Sequence, residues 1–475
     1  MGMEQLNKRV RDDLAKIEFA SGNWCVPHQH NGRDVLDVAI IGGGQGGLAT
    51  CFGLRRRGVA NTCIFDMAPE GEEGPWVTFA RMITLRTPKH VTGPDLGIPS
   101  LTPQSWFEAK YGEQAWRDLD KISRHDWQDY LLWLRDVLDL PVKNEHRLAD
   151  IAWEDGLLRL TFTGAGGAEH VVWARRVVLA TGIEGGGAWH VPDFIREGLP
   201  KSRYAHTCEQ IDFEALRGKR IGVLGAGASA FDNAATVLEH GAASVDLCLR
   251  RKQIPTVNPY RWMENAGFLS YLADLPDLLR WRFMYKIYDL NQPPPQDTFW
   301  RCRKHPNFAY HPGTPWTAVR EENGAVVVTT PKGEMEFDFL IIGTGFIIDL
   351  TKRPELGRIA SRVALWKDRF EAPADEQSAL LGSHPYLSNA FQFQPLEAND
   401  PLAPMMQCIY NFTFSAMPSM GLAGATISGM RFGVEKLTNC IGRSLFVEDG
   451  ALHLQSLLDY NVDELTSFDP PPEQA

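Results

Sequence analysis

Two stretches carry the residue types that hold phosphate. "VAIIGGGQGGLAT", residues 38–50, contains Gly42, Gly43, Gly44, Gln45 and Gly47, and "IGVLGAGASAFDNA", residues 221–234, contains Gly225, Gly227, Ala228, Ser229 and Ala230. In such a turn the first glycine allows the tight bend, the second lets a pyrophosphate approach the backbone, and a small third residue lets the helix pack on the strand. The helix N-terminus adds unpaired N–H groups and positive potential. The two turns differ in the residues at the end of the next strand. Asp66 stands 24 positions after Gly42, at a strand end, where a carboxylate accepts hydrogen bonds from ribose hydroxyls and repels a 2'-phosphate. Arg250, the first of the triplet Arg250, Arg251 and Lys252, stands 25 positions after Gly225, and such a cluster forms charge-assisted hydrogen bonds with a 2'-phosphate. The first turn is therefore expected to hold FAD and the second NADPH. The plainer alternatives are that Asp66 caps the following turn and that the triplet is a solvated strand end.

The surrounding pattern supplies what must position these residues. "DVAIIG" reads as a buried parallel strand, "GLATCFGLRRRG" as a helix closed by Gly58 and "NTCIFDM" as the next strand. The same order recurs at "RGKRIGVLG", "SAFDNAATVLEHG" and "SVDLCLR". The expected fold class is α/β, with two nested Rossmann-like dinucleotide-binding domains, the NADPH domain inserted in the FAD domain. The expected boundaries are an N-terminal extension at 1–36, a first part of the FAD domain at 37–190, an NADPH domain at 191–335 with a helical insert at about 252–315, a return segment at 336–465 and a disordered tail at 466–475, containing "DPPPEQA".

Bulk properties remove several classes of function. The 475 residues exceed what one core usually serves, and 48 Lys and Arg against 59 Asp and Glu leave a net charge of -11. That balance disfavours nucleic acid and offers no polybasic membrane tether. The charged N-terminal sequence lacks a signal-peptide core, and the apolar runs are broken by glycines, so the expectation is a cytoplasmic protein without a membrane partner. The eight cysteines contain no close pair, which argues against a local redox dithiol. His28 and His30 lack a nearby third ligand, and no metal is expected.

In this order "GGGQGG", "EEGPWV", "SRHDWQDYLLW", "VVLATG", "YAHTCE", "GAGASA", "LRRKQIPTVN" and "FDFLIIGTGF" make the chain resemble the class B flavoprotein monooxygenases, over most of 37–440. These include flavin-containing monooxygenases, Baeyer-Villiger monooxygenases and amine N-hydroxylases. The resemblance implies that Trp76 lies in the Gly-x-Trp turn beside the flavin, with Arg86 and Thr87 as flavin-side contacts. It makes Thr181–Gly182 and Thr344–Gly345 domain-crossing hinges, places His206 upstream of the NADPH turn, and puts Arg250 on the phosphate and Asn258 toward the nicotinamide. The "GLAGATISG" turn is expected to aim helix N–H groups at the flavin's pyrimidine oxygen; Arg86 has a structural ion pair as its alternative, and the glycines of this turn have close helix packing as theirs. Two departures stand out: Pro88 occupies the place of an active-site Asn, and the substrate lysine of the N-hydroxylases is not evident. The implied reaction is reduction of FAD by NADPH, addition of O2 at flavin C4a, and transfer of one oxygen atom to a small-molecule substrate, at N or S. Two alternatives are an NADPH-dependent flavin reductase or oxidase without oxygen insertion, and a non-catalytic flavin-binding sensor. No catalytic side chain is assigned, and substrate identity and a homo-oligomeric state are left open.

Overall fold

A computed structural model describes residues 2–19, 22–424 and 426–468, so the "DPPPEQA" part of the expected tail lies outside the described residues. The larger sheet runs in the order Val142–Lys143, Thr62–Phe65, Arg33–Ile41, Glu169–Leu179, Leu157–Thr163 and Arg147–Glu154. Its first four strands are parallel, the last two form an antiparallel meander, and Ile409–Asn411 adds in parallel beside Glu169–Leu179. Residues 37–41 are all buried, as a parallel strand covered on both faces must be. Helix Gln45–Arg56 follows it and packs against the long helix Ile427–Glu448. Contact there is close, because a Cβ on Gly53 would lie 2.7 Å from Val434 Cγ1.

The smaller sheet is wholly parallel, in the order Phe308–Pro312, Ser244–Leu249, Arg220–Leu224, Phe339–Ile342 and Tyr204–His206. Phe339–Ile342 corrects the expected boundary after residue 335. Its apolar run pairs in register with Ile221–Leu224, so the second unit extends through Ile342. The hairpin before it belongs to a separate antiparallel sheet of Ala318–Glu322, Ala325–Thr330 and Gly333–Phe337. The chain leaves and re-enters the larger unit through Gly187–Trp189 and Phe346–Ile348, which pair antiparallel.

Two other boundaries change for reasons of packing. Helix Met3–Lys16 buries Leu6, Val10 and Leu14, spaced four apart, in the core of the larger unit, so residues 1–36 are not an appendage. The insert expected within the NADPH domain divides. Gln296–Arg303 packs on the second unit's helix Ala228–Glu239, whereas Ala266–Tyr271 and Asp277–Leu290 bury Phe268, Trp281 and Met284 against Trp366, Leu381, Met417 and Leu422. Among the described residues no helix is long and apolar enough to cross a membrane.

Candidate active site

The two glycine turns share one construction. Gly42 has φ +109° and a Cβ there would lie 2.5 Å from the Ala180 carbonyl oxygen, while a Cβ on Gly47 would lie 1.8 Å from the Gly42 carbonyl oxygen. Gly225 has φ +144°, and its Cβ would lie 2.3 Å from the Gly343 carbonyl oxygen. Gly44 and Gly227 are the opposite case. Each stands immediately before the first residue of its helix, and a Cβ on either would meet nothing within 4 Å. Both turns are thus closed toward the protein and open on the side where the helix N–H groups begin. Ala228, Ser229 and Ala230 form the second helix's first turn, with Ala230 buried.

Asp66 combines two arrangements. Gly43 N–H donates to its Oδ2 at 2.6 Å, tying the strand end to the turn, and Ala68 N–H donates to Oδ1 at 2.7 Å, the capping arrangement weighed from sequence. A carboxylate has about four acceptor positions, so lone pairs remain. A second buried acid, Glu73, lies beside the same turn. It accepts from Asn144 Nδ2 at 2.6 Å and pairs with Arg135 at 3.1 Å; Gly43, Gly44, Glu73, Gln128 and Arg135 line a small cavity. Sequence reasoning missed this group, although Trp127, Leu131 and Arg135 recur at helical spacing. Trp127 carries the contact onward: its Nε1 donates to Gln45 Oε1 at 3.2 Å, and its ring meets Trp76 edge-on at 6.3 Å.

The basic triplet is not one unit. Arg251 donates to the Asp289 carbonyl at 2.9 Å, at the end of helix Asp277–Leu290 where carbonyls lack intrahelical partners. Arg250 and Lys252 are exposed and make no hydrogen bond or ion pair among the described residues. Asn258 accepts from Tyr260 N–H at 3.1 Å and so caps helix Pro259–Met263.

Arg86 takes the ion-pair arrangement. Its NH2 lies 3.0 Å from Asp232 Oδ2, on the second unit's turn helix, and Asp232 also accepts from Thr298 Oγ1 at 3.0 Å. This pair joins the two units. Arg86 Nε remains buried without a partner, and Thr87 is half-buried in the same bend. Beyond it, Arg261 NH2 donates to the Arg86 carbonyl at 2.9 Å, bringing the helix that carries Tyr260 against this loop. Burial pushes the Tyr260 phenol up to about 12, against the lowering effect of Arg86.

At the chain crossings Thr181 Oγ1 is buried without a partner, and Thr344 Oγ1 donates to the His190 carbonyl. His206 is buried; its Nδ1 accepts from Cys208 N–H at 3.2 Å, which assigns the ring proton to Nε2, and burial pushes its pKa down to about 4. Gly182 and Gly345 take φ +76° each, and Gly345 accepts from His190 N–H at 3.0 Å. In "GLAGATISG" the packing is close: a Cβ on Gly424 would lie 2.4 Å from the Phe412 carbonyl oxygen and one on Gly429 2.3 Å from that of Leu422.

Behind the first crossing lies a polar group that sequence did not reveal. Phe414 N–H donates to the Gly182 carbonyl at 3.1 Å, and the next residue, Ser415, accepts through its carbonyl from His384 Nδ1 at 2.9 Å. That bond places the proton on Nδ1, so Nε2 accepts from Tyr288 O–H, 3.3 Å away. His384 is fully buried and its pKa is pushed down to about 4; burial also holds the Tyr288 phenol well above its ordinary range. Tyr288 and His384 are 96 positions apart.

The chain is similar to several known proteins. A family model for L-lysine 6-monooxygenase/L-ornithine 5-monooxygenase matches residues 115–266, and one for FAD-NAD(P)-binding matches 39–184. A FAD-dependent urate hydroxylase of Xanthomonas campestris pv. campestris is 43% identical over 477 residues, covering 100% of both chains. Among solved structures, an ornithine hydroxylase of Pseudomonas aeruginosa has TM-score 0.66 at 16% identity, covering 86% of this chain and 100% of its own. A cadaverine monooxygenase of Erwinia amylovora bound to FAD has TM-score 0.63 at 14% identity, covering 93% and 99%. The solved structures bear on the fold, and the urate hydroxylase on kinship along the whole chain.

Proposed function

We infer the reaction from one premise: the chain belongs to the class B flavoprotein monooxygenases, and it uses FAD, NADPH and O2 to insert one oxygen atom into a small molecule. We propose that the substrate is urate or a closely related oxidised purine, because a relative similar along the entire chain is a urate hydroxylase. The structural observation that supports the cofactor assignment is the pair of open central glycines, Gly44 and Gly227, each under a helix N-terminus with room for a pyrophosphate.

In this reading the first turn binds the FAD pyrophosphate through backbone N–H groups, and Asp66 offers its remaining lone pairs to the adenosine ribose. The second turn, with Ala228, Ser229 and Ala230, does the same for NADPH, and Arg250 with Lys252 holds the 2'-phosphate. FAD, when bound, supplies the transfer of electrons from NADPH and the activation of O2. The protein orients the two nucleotides from separate units and shields the flavin end from water, a role suited to the insert that packs against 366–422. The same reading puts Trp76, His206 and the Thr181–Gly182 and Thr344–Gly345 crossings beside the flavin and nicotinamide.

A purine trione presents alternating N–H and C=O groups along a planar edge. Two polar groups suit that edge: Arg86 Nε–H is a buried donor without a partner, and Tyr288, whose O–H donates to His384 Nε2, keeps phenol lone pairs as an acceptor. Amine N-hydroxylation is the second reading, favoured by the lysine/ornithine monooxygenase match at 115–266. The test is NADPH and O2 consumption by the purified flavoprotein with urate, xanthine, ornithine, lysine or cadaverine. A product heavier by one oxygen atom with urate alone is expected; the same product from an amine alone would transfer the assignment to the second reading.

A further inference from the structure

We propose that the helix Gly450–Leu458 and the described residues after it, to Phe468, dock on a second copy of this chain, entering an arginine-lined cavity between helices Gln45–Arg56 and Ile427–Glu448. Helix Gly450–Leu458 has no buried residue, although it carries Leu452, Leu454, Leu457 and Leu458 at 50%, 57%, 68% and 69% exposure, and Phe468 beyond it is 89% exposed. A helix of nine residues is marginal by itself, and helical stability in proteins comes mainly from burying an apolar face. Here one end is attached, His453 stacking on Phe446 with ring centroids 4.5 Å apart, while the leucines face away from their own chain.

Charge identifies the cover. Residues 450–475 contain five acidic side chains, among them Asp459, Asp463 and Glu464, and no Lys or Arg. Such a segment is repelled by an anionic lipid surface and attracted to guanidinium groups. The cavity, of about 380 Å³, is lined by Arg56, Arg57 and Arg431 with Glu435, Leu96 and Val434. Arg56 donates to the Leu96 carbonyl at 3.0 Å and Arg57 to Thr438 Oγ1 at 3.1 Å, but Arg431 is in no ion pair among the described residues and lies 5.9 Å from the ring of Phe432. The three arginines of the cavity complement the acidic residues that follow the leucines. Both surfaces belong to every chain, so a two-fold arrangement in which each tail enters the other's cavity satisfies both and closes the assembly.

The experiment is light scattering after size-exclusion chromatography of the full flavoprotein over a hundredfold range of concentration. Wild type should have the mass of two chains. Leu457→Asp with Leu458→Asp, and separately Arg431→Glu, should raise the dissociation constant at least tenfold, and Arg431→Glu combined with Asp463→Arg in one chain should restore two-chain mass. NADPH oxidation by each variant serves as the control for folding. A one-chain mass for wild type throughout, an unchanged mass in both single variants, or flotation of wild type with phosphatidylcholine vesicles in place of self-association would overturn the proposal.

Discussion

Arg250 and Arg251 are sequence neighbours with different obligations. Arg251 is held by the carbonyl end of helix Asp277–Leu290, whereas Arg250 has no partner among the described residues. Arg250→Ala should therefore weaken NADPH at least tenfold and leave NADH nearly unchanged, since a charge-assisted hydrogen bond contributes about 1.5–3 kcal/mol and 1.4 kcal/mol is tenfold. Arg251→Ala should have the smaller effect on that ratio; anaerobic flavin reduction against nucleotide concentration measures both. His384 makes a prediction about pH. Its folded pKa is near 4 against an ordinary value of 6.5, because burial penalises the charged ring. The unfolded chain thus takes up a proton first as pH falls. The associated stability is fully present above 6.5, is lost as pH falls from there, and levels off below about 4. The loss amounts to about 3 kcal/mol at 1.36 kcal/mol per pKa unit. Urea unfolding at pH 7.5 and 5.5 should show a smaller difference for His384→Asn than for wild type; equal differences would assign the pH dependence to other groups, such as His206.

At the scale of elements, the two strand-turn-helix units separate binding from folding. A Cβ on Gly227 meets nothing within 4 Å, so Gly227→Val should fold, keep its FAD and lose reduction by NADPH. Gly47→Ala places a Cβ 1.8 Å from the Gly42 carbonyl oxygen, and should lose flavin together with stability. Flavin content and melting temperature, measured side by side, distinguish the two. These units were legible in sequence because glycine spacing and an apolar run are local properties. Phe339–Ile342 was equally legible as a buried strand, yet its sheet was not: either parallel sheet accepts the same pattern, and only the register beside Ile221–Leu224 decides. The roles of Arg251 and Asn258 depended on helices whose ends the sequence left undefined. The contact between Tyr288 and His384 had no local signal, since only the packing of the insert on the return segment creates it.

For the whole molecule, the ion pair between Arg86 and Asp232 decides how far the two units act as one. Asp232 has a side chain 2% exposed and Arg86 one 30% exposed. Removing the carboxylate leaves a largely buried guanidinium unpaired, a change that costs several kcal/mol when burial is complete and less here. Asp232→Ala should retain FAD, slow reduction by NADPH, and broaden or split a single calorimetric transition into two; one sharp transition at the wild-type temperature would show that the pair does not couple the units. The nesting has a further consequence, in time. The smaller sheet is built from residues 204–342, all of which have left the ribosome while Ile409–Asn411 and helix Ile427–Glu448 are still untranslated. The unit that begins first therefore finishes last. During synthesis its sheet waits with one edge uncovered beside its neighbour, and flavin capture becomes a late event, after Ile409–Asn411 and helix Ile427–Glu448 have been made.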